Sequence, residues 1–220
     1  MKKIIMSVVF CLIAGTMVSY AQSQSFAQMK AKAKSELSEK AAKEVRKEAK
    51  KKEKEGWKNA PGSLPIAKQL ERSMVRQAME DPETGDLMFF VGEATSKGGV
   101  YDAAKRAAIE YARNQIAGQV ETNMTELVQN SLANDQEGGE VNVSFAKTIA
   151  ESRSLISQRL GNAQPMVELY RDLPGGQKEV SVTILMNRKQ ATNNAKAVIR
   201  EQLKKESEVL AKKLDEKLGW

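Results

Sequence analysis

Glu168 and Asp172 are the closest this chain comes to a catalytic carboxylate pair. Two acids about 5 to 9 Å apart suffice for glycoside hydrolysis. Four residues along an extended segment, however, separate their Cα atoms by more than about 12 Å. The chain has no histidine, and its single cysteine is Cys11. Serine–histidine, cysteine–histidine and most zinc chemistries therefore lack their reagents. A histidine-based switch near neutral pH is excluded for the same reason.

Two other groupings have a chemical spacing. Asp81, Glu83 and Asp86 surround Gly85, but the distal bidentate glutamate of a calcium loop is missing, so the segment reads as a turn. Gly92 to Gly99 carries Thr95, Ser96 and Lys97 ahead of a helix start, the general layout of a phosphate loop. In the Walker pattern the lysine follows the last glycine; here it precedes the pair, and Glu93 would repel an anion. The segment reads as a connector. No catalytic, cofactor-binding or metal residue is assigned, and no cofactor is expected. The chemistry on offer is that of a binding module and not of an enzyme.

The elements that would position these groups follow from periodicity. Phe26 to Glu55 is rich in Lys, Ala, Glu and Arg, strong helix formers, with a thin apolar stripe. Gly56 to Ser63 breaks it, and Trp57 within that break is expected to pack on the body. Leu64 to Glu80 reads as a short helix with Ile66, Leu70, Met74 and Val75 on one side. Leu87 to Val91 is a continuous apolar run, expected to be a strand covered on both faces. A long helix is expected from Tyr101 to Leu132, buried through Ile109, Ala112, Ile116, Val120 and Leu127, with Tyr101, Ala104, Ala108 and Tyr111 as a second stripe. Val143 to Leu160 reads as another helix. Pro165–Asp172 and Lys178–Met186 form a hairpin through Pro174–Gln177, with Ser181 and Thr183 toward solvent. A charged helix from Lys189 to Lys217 follows, with Val198, Leu203, Leu210, Leu214 and Leu218 along its apolar edge. Trp220, at the end of a helix, does not fit the strand terminus of an outer-membrane barrel. The expected fold is α+β: a small, mostly antiparallel sheet with long helices on one face, preceded by a basic helical leader.

Charge and targeting set the context. Lys2 and Lys3, the apolar run Ile4–Val18 and Ser19-Tyr20-Ala21 form an export signal over residues 1–21, with cleavage after Ala21. Cys11 sits inside the apolar run after Phe10, which does not suit lipidation. No later segment is apolar enough to span a bilayer. Domains are expected at 22–58 (basic leader), 59–63 (linker) and 64–220 (one α+β domain). Between Gln28 and Lys58 twelve Lys/Arg face six Asp/Glu; with two lysines in the signal, this leaves −1 of the total +7 for everything beyond Lys58. The basic character belongs to one segment, so the expected partners are an envelope protein or an acidic surface such as lipopolysaccharide, met through residues 28–58. Nucleic acid is not expected, because the segment lacks interleaved aromatics and the chain is exported. A homo-oligomer is an open alternative. Location is the periplasm or the outer membrane, or outside the cell.

Val91-Gly92-Glu93-Ala94, followed by Ala103-Ala104-Lys105, Ala107-Ala108 and Ala112, resembles a motif of a bacterial envelope family. Its members include small surface lipoproteins and the N-terminal domain of a flagellar ring-assembly protein. In that family a strand ending in Gly-x-Gly/Ala precedes a helix with alanines every three or four residues, and a hairpin follows. The resemblance spans about Leu87 to Arg188 and implies a role in envelope structure or assembly, not catalysis. It transfers no site residue. The basic leader and the charged C-terminal helix lie outside it, and no lipidation box is present. The leading function is thus a non-enzymatic exported protein-binding or scaffold module. A periplasmic small-ligand or lipid carrier, drawing on the ten methionines, is the alternative. A carboxylate-only hydrolase stands behind both.

Overall fold

In a computed structural model, residues 39, 41–81, 84–132, 138–161 and 164–218 are described. The export signal with Cys11, the leader before residue 39, Glu83 and Trp220 lie outside them. Two compact units emerge, Met1–Lys47 and Glu48–Trp220. The described part of the first is helical.

The second unit is α+β, with a four-stranded antiparallel sheet in the order β1-β3-β4-β2. It opens with the last turns of α1 (41–54). Gly56 ends that helix with a φ of 83°. The Trp57 N–H donates to the Lys52 carbonyl at 3.0 Å and the Gly56 N–H to Glu53 at 3.1 Å, a Schellman cap that needs a residue without a Cβ at that corner. The cap delivers Trp57 into the fold and continues as β1 (Lys58–Asn59), which pairs with Tyr170 and Leu169. Residues 48–59, expected in the leader and linker, are therefore part of the folded unit.

Next come α2 (Ile66–Gln77), β2 (Phe89–Gly98), α3 (Tyr101–Leu132), α4 (Gly138–Glu151), α5 (Arg153–Arg159), β3 (Pro165–Asp172), β4 (Lys178–Asn187), α6 (Arg188–Glu206) and α7 (Glu208–Leu218). The β3–β4 hairpin turns through Pro174–Gly176, as expected from the sequence. β2 departs from expectation. The run Gly92–Gly98 is strand and not connector, since β4 offers a ten-residue partner from Phe89↔Asn187 to Gly98↔Lys178. Leu87 makes only an isolated bridge with Glu80 and is exposed.

The long helices cover one sheet face. Ala104, Ala108, Ala112, Ile116, Val120 and Met124 are fully buried and Val128 nearly so. Steps of four overshoot the helical repeat by about 40° each, so the buried line winds around α3. Along that line α3 packs on β2 and β4 of the sheet and on α4, α5, α6 and α7. This corrects the expected stripe: Leu127 and Tyr111 are exposed, at 39% and 55%. The expected helix Val143–Leu160 is interrupted at Ser152, which is fully buried and donates its hydroxyl to the Thr148 carbonyl. The expected C-terminal helix likewise breaks at Ser207, whose extended backbone and side-chain oxygen cap α7. Arg200 then pairs with Asp215, holding α7 against α6.

The opposite face carries a smaller core of Ala49, Trp57, Ile66, Val167 and Leu169. Through it α2 covers part of that face, which is why Thr183 is buried, contrary to its expected solvent position. Val75, expected on the packing side of α2, is 60% exposed; Gln69 and Ser73 are buried in its place. No helix among the described residues is long and apolar enough to cross a membrane.

Candidate functional site

The acids and the lysine singled out in the sequence have definite places, except Glu83, which lies outside the described residues. Asp172 lies between Lys58, at 2.9 Å, and Lys178. Hydrogen bonds from these two ammonium groups, Lys178 foremost, hold its carboxyl below the usual carboxylate range. Its bond to Asp172 in turn raises the Lys58 ammonium pKa. Asp172 thus joins β1 to the hairpin. Glu168, four residues away, is engaged separately, so the strand does not unite the two carboxylates. Asp81 and Asp86 close a turn through the Asp81 N–H, which donates to the Asp86 carbonyl at 2.7 Å. Among the described residues no cluster of acids or thiols could hold a metal ion. Lys97 stands in β2, 3.9 Å from the Glu179 carboxylate, and forms no phosphate cradle.

Trp57 is 7% exposed, packed on the body as expected. The Arg171 guanidinium lies 4.7 Å above its ring and binds Glu179 through Nε at 2.5 Å. Arg171 also donates to the Glu55 carbonyl at 3.2 Å, so one side chain holds the helix end, the indole and β4 together.

Glutamine side chains bond part of the free strand backbone on β2 and β3. On β2, Gln119 donates to the Val91 carbonyl at 2.6 Å and accepts from the Val91 N–H at 3.4 Å. Gln115 accepts from the Glu93 N–H at 3.0 Å. On β3, where β1 has ended, Gln69 accepts from the Glu168 N–H at 2.8 Å and donates to the Leu64 carbonyl at 2.6 Å. Unpaired strand groups template association with other strands, and these amides occupy them. A pair such as Gln115 and Gln119, four apart on a helix that follows a strand, is the signal that sequence reasoning passed over.

An open cleft of about 640 Å³ lies between α3 and the start of β3. One face of α3 supplies Lys105, Arg106, Ile109, Glu110 and Arg113; Gln164, Pro165 and Glu168 face them. Glu168 is spent within the fold: Lys105 binds it at 2.7 Å, and the Tyr101 hydroxyl donates to the same oxygen. Burial first, and this bond to Glu168 second, push the Tyr101 phenol well above its ordinary value. Tyr101 also meets Tyr170 edge to face, with centroids 5.5 Å apart.

Arg113 is different. Its side chain is 18% exposed, and its Nε is buried with no hydrogen-bond partner. The carboxylate beside it, Glu110, stands 3.9 Å from Nη1, beyond hydrogen-bond reach. Arg106, seven residues earlier on the same face, makes no ion pair among the described residues. The spacing Lys105, Ile109, Arg113 was legible as a helical stripe; the wall facing it was not. No family model, no curated protein and no solved structure matches this chain.

Proposed function

We propose that this chain is an exported, non-enzymatic cell-envelope protein, acting as a protein-binding or assembly module with a basic docking arm. The observation that carries this reading is that charge segregates at the boundary between the compact units. Residues 22–47, behind the export signal, hold seven Lys/Arg against three Glu, whereas residues 48–220 are nearly balanced, 26 against 25. Such an arm attracts an acidic surface, lipopolysaccharide or an acidic protein. The resemblance of residues 87–188 to an envelope family and the export signal point the same way. Glu168 is committed to Lys105 and Tyr101, which suits a structural carboxylate better than an acid–base catalyst.

Cosedimentation with lipopolysaccharide aggregates tests it. Residues 22–220 should bind at low salt and be released at high salt, while residues 48–220 should stay in solution at both. Equal binding by the shorter chain would remove the arm from the function. A small-ligand carrier is the second reading, and the cleft on α3 is what favours it.

A further inference from the structure

We infer that the cleft between α3 and the start of β3 binds a carboxylate carried beside an apolar group. A peptide C-terminus and a small organic acid share that chemistry. The site is independent of the docking arm.

Three features converge on it. The first is positive charge that is only loosely compensated. Lys105 has its counter-ion in Glu168, whereas Arg113 is mostly withdrawn from water with an orphaned Nε, and Arg106 is unpaired among the described residues. A partly desolvated guanidinium whose nearest carboxylate, Glu110 at 3.9 Å, stands beyond hydrogen-bond reach is costly. A carboxylate on the open side of that guanidinium supplies the counter-charge, and the planar fork favours it geometrically.

The second is charge number. The lining holds three cations and two carboxylates, a balance of +1. One carboxylate neutralises that balance, whereas a dianion would leave an excess negative charge beside Glu110 and Glu168, so a carboxylate matches the cleft. The third is the wall. Ile109 and Pro165 offer apolar contact beside the charges, and the Gln164 amide offers a donor and an acceptor suited to a peptide group. The cleft volume lies within the range of small-ligand sites.

The test is titration of the full mature chain, followed by calorimetry and amide chemical shifts. The probes are N-acetyl-leucine, N-acetyl-leucinamide, inorganic phosphate and a tetrapeptide with a free or amidated C-terminus. Both free acids should bind, with shifts in residues 105–113 and 164–168, and each amide at least tenfold more weakly. Arg113→Gln should lose at least tenfold in affinity for the acids with an unchanged circular dichroism spectrum. Should that variant not fold, Arg106→Gln (weaker) and Glu110→Gln (tighter) carry the same test at exposed positions. Tighter binding of the peptide than of the acetylated amino acid identifies a chain terminus as the ligand; equal binding identifies a small acid; both uphold the site. Amides binding as well as acids, phosphate binding more tightly than either, or no response at millimolar acid would overturn it. Loss of lipopolysaccharide binding on removing residues 22–47 bears only on the arm, so the two proposals fail separately.

Discussion

Gly92 and Ala112 meet backbone to backbone: a Cβ on Gly92 would stand 2.1 Å from the Ala112 carbonyl oxygen. A second approach follows at Gly98, where a Cβ would lie 2.9 Å from the Ala104 nitrogen. Ala104, Ala108 and Ala112 are fully buried between these contacts. The glycines of β2 and the alanines of α3 are therefore two halves of one device that lets the helix lie directly on the strand. That closeness also brings the amides of Gln115 and Gln119 within reach of the strand edge.

Gly92→Ala should be strongly destabilising, because the carbonyl it meets is helix backbone and cannot swing aside. Overpacking of this kind costs about 2 kcal/mol or more. In a unit of this size that lowers the melting temperature by about 4 to 8 °C. A thermal scan of the variant checks it; an unchanged midpoint would mean that α3 does not sit so close to β2.

Truncation should locate the true start of the fold. Removing residues 22–47 should leave the melting transition nearly unchanged. Removing residues 22–58 discards Ala49, Trp57 and one partner of the Asp172 bridge, and should cost at least about 3 kcal/mol, the scale of losing one buried tryptophan. Chemical denaturation of the two chains side by side distinguishes these outcomes. Equal stability would show that the small second core is dispensable.

Opening the β2 edge should promote self-association. In the double variant Gln115→Ala, Gln119→Ala the Val91 and Glu93 strand groups lose their side-chain partners. Light scattering during gel filtration should then show more concentration-dependent association than in the parent chain. A variant that associates no more than the parent would show that other features protect this edge.

Tyr101 should ionise late. Its phenol is shifted upward from 10.0 by burial and by its bond to Glu168. Because the folded state holds this proton more tightly, the associated stability is fully present below about pH 10, the unfolded value, and declines as pH rises through the folded one. In an alkaline absorbance titration Tyr101→Phe should remove a component that ionises above the ordinary tyrosine range. Loss of a component within the ordinary range would contradict the Tyr101–Glu168 pairing.

The expected hairpin limits, Pro165–Asp172 and Lys178–Met186, agree with the structure almost residue for residue, and Tyr101–Leu132 does so at both ends. These depend on local signals: alternation along β4, glycines before a helix start and a Pro-Gly-Gly turn. The α+β class follows from their order. Chain-local chemistry also determined which reactions are out of reach, since a missing histidine is missing in any fold.

Tertiary structure decided the rest, because the deciding partners are far away in sequence. Gly92–Gly98 reads as a loop until β4, about ninety residues on, gives each residue a partner. Trp57 and Lys58 read as linker until Arg171 and Asp172 meet them across more than a hundred residues. Thr183 looks solvent-facing until α2 and the Trp57 cluster cover that face. The cleft exists only because β3 returns opposite α3, setting Gln164 and Pro165 against Arg106 and Arg113. Helical and strand periods are properties of neighbouring residues. Which faces are covered, which edges are closed and which charges are left unpaired depend on long-range contacts that a single chain's pattern does not encode locally.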